Sequence, residues 1–126
     1  MEQSAIMAFE QGMDAFMLGV KNELAAEYQA HVVHLSVPRC LECLSVVGED
    51  DKALQLRLVL VGCGPEVTFG RLSWVSEDGR EHICCYLNSE YEAVKRKPNG
   101  IWVKEKSSAE RMCLRKWSRL HSPMPS

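Results

Sequence analysis

The sequence predicts an α+β fold: an N-terminal amphipathic helix packed on an antiparallel β-meander, followed by a C-terminal helix. Three observations carry it. Apolar residues recur every three or four positions from Ser4 to about His31, alternate every second position from Leu54, and give way to a helix-capping motif at Ser107.

In the first segment Ile6, Phe9, Met13, Phe16, Val20 and Leu24 form one stripe of a helix, while Glu10, Asp14, Lys21, Glu23 and Glu27 fall largely off it. Gly12 and Gly19 interrupt good helix formers, each at a cost of about 1 kcal/mol relative to alanine. Their spacing permits close approach of another element. The helix is expected to end before Pro38, because the residue preceding a proline avoids the α region.

The period then changes to two. Leu54, Leu56, Leu58 and Leu60 share one face of a strand. The acidic run Gly48-Glu49-Asp50-Asp51 before it reads as a hairpin loop from a strand around Leu41–Val47, and Gly62-Cys63-Gly64-Pro65 is a second break. At Asp78-Gly79 a two-residue type I′ turn is expected. That turn sets Trp74 opposite Ile83 and Leu72 opposite Cys85, with Leu72, Trp74, Ile83, Cys85 and Leu87 as the buried row. Cys84 would then face away from Cys85.

Pro98-Asn99-Gly100 marks another turn, and Glu90–Lys97 before it is read as a strand. Ser107-Ser108-Ala109-Glu110 has the spacing of a capping box and opens a helix to about Leu120, with Ala109, Cys113, Trp117 and Leu120 inward. Four to six strands in meander order follow, as one domain over residues 1–126 whose last six residues, 121–126, form an irregular tail. A chain of 126 residues with 46% hydrophobic and 25% charged side chains is sized and composed for one core.

The opening Met1-Glu2-Gln3-Ser4 has no basic stretch, and Glu10 interrupts the apolar run behind it, so no secretory signal is read. The expectation is a cytoplasmic protein whose six cysteines are reduced. No run has the length needed to span a bilayer. Catalytic signatures are lacking. Gly62-Cys63-Gly64 follows a strand as a dinucleotide loop does, but Pro65 and Val67-Thr68-Phe69 stand where the phosphate-binding helix belongs. No phosphate-loop, zinc-protease or serine-hydrolase motif occurs, and a non-enzymatic binding or accessory protein is expected.

Charge is segregated along the chain. Residues 1–88 carry thirteen acidic and six basic side chains, whereas residues 89–126 carry nine basic and four acidic ones. Arg111, Arg115 and Arg119 recur every four residues with Lys116 beside them, which aligns three guanidinium groups on one helix face. Lys95, Arg96, Lys97 and Lys104 precede them. Cations so arranged match nucleic-acid phosphates, of DNA or RNA, and Trp102 or Tyr91, if exposed, would add base stacking. The alternative is an interaction module or inhibitor whose basic helix meets an acidic protein. No cofactor is expected, although His31, His34, Cys40 and Cys43 offer zinc-type ligands within thirteen residues. The gap between the two pairs is shorter than in ordinary fingers. Cys40-Leu41-Glu42-Cys43 also lacks the helix start that activates a redox thiol.

Overall fold

The computed structural model describes residues 2–62 and 70–121, so the break at Cys63–Pro65, the stretch Val67–Phe69 and the tail beyond residue 121 lie outside the described residues. It shows an α+β fold. Helix α1 (Glu2–Tyr28) leads into seven strands, β1 (His31–Leu35), β2 (Glu42–Val47), β3 (Ala53–Leu60), β4 (Gly70–Ser76), β5 (Glu81–Leu87), β6 (Ala93–Arg96) and β7 (Trp102–Lys104), and helix α2 (Ala109–His121) ends them. The strands lie in sequence order in one antiparallel sheet.

The strand count exceeds the expected range by one, because α1 stops earlier than its stripe suggested. Gln29 takes a left-handed conformation (φ 49°) and the Ala30 amide reaches back to the Leu24 carbonyl, closing the helix end. A glycine usually fills that position, so no sequence signal marked it. The residues released, His31–Leu35, become the edge strand β1.

Both helices cover one face of the sheet. Phe9, Phe16, Met17, Val20 and Leu24 of α1 pack with Leu44, Val46, Leu54, Leu56, Leu58, Leu72, Trp74 and Leu87 of the strands and with Cys113, Leu114 and Trp117 of α2. Most of the stripes drawn on α1 and β3 is the core, with Met13 at its margin, Ile6 half-buried outside it, Leu60 exposed, and Met17 buried although it was not on the stripe. Trp74 anchors α2: its Nε1 donates to the Cys113 carbonyl at 3.0 Å, and its ring meets Trp117 at 5.0 Å. Ser108, one residue later than expected, caps α2 by accepting from the Arg111 amide. Ser107 instead accepts from the Arg115 guanidinium. His121 belongs to the helix rather than the tail, its ring against Trp117.

Four hairpins use one loop design. In Gly48–Lys52, Ser76–Arg80, Asn88–Glu92 and Lys97–Ile101, the first amide donates to the last carbonyl, and the fourth residue donates back to the first carbonyl. The fourth residue, Asp51, Gly79, Tyr91 or Gly100, has positive φ in every case. This is a three-residue loop ending in a left-handed residue.

The turn at Asp78-Gly79 therefore differs from the expected two-residue form. Its extra residue pairs Trp74 with His82 and Ser73 with Ile83, and a bulge at Cys84 restores the expected Leu72–Cys85 pair. Ile83 is consequently exposed, not part of the buried row. Cys84 and Cys85 are both buried, contrary to simple alternation, because two residues at a bulge oppose one across the ladder. Burial pushes the Cys85 thiol up to about 12, and the free thiol of Cys113, hydrogen-bonded to that of Cys84, is likewise raised by burial.

Candidate binding surfaces

With both helices on one side, the other side of the sheet carries no described element. Alternation fixes which residues it shows. Opposite Leu54, Leu56 and Leu58 stand Gln55, Arg57 and Val59, and the register extends the set to Val33 of β1, Arg71, Ser73 and Val75 of β4, and Ile83 and Tyr86 of β5. Cys43 and Ser45 of β2, Glu81 of β5, Val94 and Arg96 of β6 and Trp102 and Lys104 of β7 lie on the same face. An antiparallel sheet facing water ordinarily alternates apolar-in with polar-out. Here much of the outward row is valine, isoleucine and aromatic. Val33 is 45% exposed and Ile83 39%.

Polar side chains on this face are held in place by one another. Arg57 donates to the Gln55 amide oxygen at 3.0 and 2.7 Å, and the Cys43 thiol reaches the same oxygen at 3.8 Å. Burial raises that thiol above its usual range. Arg71 pairs with Glu81 at 3.0 Å, diagonally across the Ser73–Ile83 pair. Beneath it Ser73 is 1% exposed, and its hydroxyl has no hydrogen-bond partner among the described residues. Tyr86 meets Trp102 edge-on at 5.6 Å.

A cleft of about 560 Å³ opens beside that aromatic pair. The strands β5 and β6 pair only at Tyr86–Val94 and Leu87–Ala93, then separate. Ile83, Cys85 and Tyr86 line one side of the gap, and Lys95, Arg96 and Trp102 the other.

The eight basic residues singled out in the sequence do not share one face. Arg96 and Lys104 lie on the helix-free face, and Lys97 opens the β6–β7 turn. Lys95 has the opposite strand parity, and Arg111, Arg115, Lys116 and Arg119 belong to α2 on the helix side. Two are paired: Lys104 with Glu92 at 2.7 Å and Lys95 with Glu105 at 3.8 Å. Lys104 holds the Glu92 carboxyl below its ordinary range and is itself raised by that bond. Arg111, Arg115 and Arg119 are exposed with no ion pair among the described residues, but Arg111 and Arg115 share a groove with Glu23 and Glu27 of α1.

Of the two proposed stacking residues, Trp102 is half-buried on the helix-free face. Tyr91 is committed to packing, its ring stacked on Phe9 at 4.5 Å and its hydroxyl donating to the Phe9 carbonyl. The zinc-type set does not converge. His31 and His34 are exposed on β1, His34 contacts Glu42, and no group of three potential ligands gathers among the described residues. Sequence reasoning passed over Arg57, Val59, Arg71, Ile83 and Tyr86 of the helix-free face, although the alternation at Gln55, Arg57 and Val59 already marked an outward row. No protein-family model, curated protein or solved structure matches this chain.

Proposed function

We propose that this protein is a non-enzymatic interaction module that binds an acidic protein partner on the helix-free face of its sheet. The observation that carries the reading is that Val33, Val59, Val75 and Ile83 all point outward, among polar neighbours, on a face with no described cover. Exposed apolar surface of this kind marks association sites, and arginine and aromatic residues concentrate binding energy there. On this face Arg57, Arg71, Arg96 and Lys104 outnumber Glu81 and the loop residue Glu92 that pair with two of them, which favours an acidic partner. A second copy of the chain would set these cations against each other.

The test is capture of partners by the tagged protein after nuclease treatment. Capture that survives nuclease and is lost in Val33→Asp/Val59→Asp supports the reading, whereas capture unchanged by those substitutions overturns it.

A second reading is contact with nucleic-acid phosphates through Arg111, Arg115 and Arg119. It is favoured by the absence of ion pairs to that row among the described residues. It predicts a raised 260/280 nm absorbance ratio on purification and salt-dependent retention on DNA or RNA, abolished by charge reversal at Arg115 and Arg119. Retention unaffected by that reversal rejects it.

A further inference from the structure

We infer that the cleft between β5 and β6 receives an extended acidic segment of the partner, which adds as a short strand along β5. The inference rests on the proposed protein-binding role and names where and how the partner is held.

A strand inside a sheet normally has both backbone edges paired. Here β5 pairs with β4 from Glu81 to Leu87, but with β6 only at Tyr86 and Leu87. Over Glu81–Cys85 the edge turned toward β6 has no described strand against it, although β5 is interior in strand order. The bulge at Cys84 explains the separation: it bends β5 away where Cys85–Lys95 and Cys84–Arg96 would be the next pairs. Unpaired strand edges are templates for strand addition, in which main-chain hydrogen bonds give affinity and alternate side chains give specificity.

The side chains around the gap set that specificity. Ile83 and the Tyr86–Trp102 pair offer apolar contact to every second residue of an added strand. Arg96 has no ion pair among the described residues, and the exposed Lys97 follows it at the start of the β6–β7 turn. Lys95 is already shared with Glu105, so the net character of that wall is basic. The matching segment alternates carboxylates with apolar side chains.

The experiment uses the full chain and a short synthetic peptide alternating glutamate with valine. Its controls are a lysine–valine peptide and a glutamate–valine peptide N-methylated along one edge. Amide exchange read residue by residue should slow roughly tenfold or more at positions within Glu81–Cys85 with the first peptide only. Arg96→Glu should transfer the preference to the lysine peptide, a charge reversal at an exposed site that leaves the core intact. Equal protection by the N-methylated peptide, protection elsewhere, or indifference to Arg96→Glu overturns strand addition. These failures leave the wider proposal standing if partner capture remains sensitive to Val33→Asp/Val59→Asp; loss of that sensitivity removes both.

Discussion

A β-carbon on Gly12 would lie 3.0 Å from the edge of the Tyr91 ring. The glycine in mid-helix is therefore the space that lets the β5–β6 loop dock on α1. Tyr91 cannot yield easily, since it stacks on Phe9, touches Phe16 at 5.1 Å and is tethered through its hydroxyl to the Phe9 carbonyl.

The two helix glycines consequently respond oppositely to alanine. Gly19 has nothing within 4 Å of its missing β-carbon. Gly19→Ala should raise stability by about 1 kcal/mol from helix propensity alone. Gly12→Ala gains the same propensity but overpacks against Tyr91, at a cost of roughly 1–3 kcal/mol, and should come out neutral to destabilising. Denaturant unfolding of both variants checks the pair; equal stabilisation would show that Gly12 has no packing role.

Tyr91 links stability to alkaline pH. Burial, with Asp14 and Glu10 nearby, raises its phenol above the ordinary value of 10.0. The unfolded chain releases that proton first, so the contribution is complete below pH 10 and lost as pH rises toward the folded value. Tyr91→Phe should flatten this alkaline decline while costing about 1 kcal/mol at neutral pH for the lost hydrogen bond. An unchanged alkaline slope would contradict the assignment.

At the acidic end the Glu92–Lys104 bond acts in the opposite sense. The hydrogen bond from Lys104, then that from Asn88, lowers Glu92 below 4.5. Its contribution is present above that pH and fades as pH falls through the depressed folded value. A carboxyl titration by NMR should show Glu92 moving back up in Lys104→Met. No movement would mean the pair is not formed in solution.

The left-handed loop residues supply a purely backbone test. Gly79 has φ 84° and open space around it, so Gly79→Ala meets no clash and should cost about 1–2 kcal/mol through conformation alone. A neutral result would contradict the left-handed conformation at Gly79.

Where the sequence was legible, periodicity was doing one job at a time. Leu54, Leu56 and Leu58 are core because nothing disturbs their alternation, and Phe9, Phe16, Val20 and Leu24 are core because the helical stripe is unbroken. Legibility failed where backbone geometry overrode pattern. Gln29 closes α1 without a glycine, and the three-residue loop at Glu77–Gly79 shifts Ile83 outward while the bulge turns Cys84 inward. The candidate surface was obscured for a related reason. Charge segregation along the chain suggested one basic patch, but the antiparallel hairpin β6–β7 and helix α2 distribute those cations over both sides of the sheet.

Hydrogen exchange on the captured complex reads directly whether a partner docks on the helix-free face. Protection is predicted on β3, β4 and β5, with no new protection of the outer face of α2. Protection confined to Arg111–Arg119 of α2, with those strands unchanged, would place the partner on the helix side and remove the helix-free face as its dock.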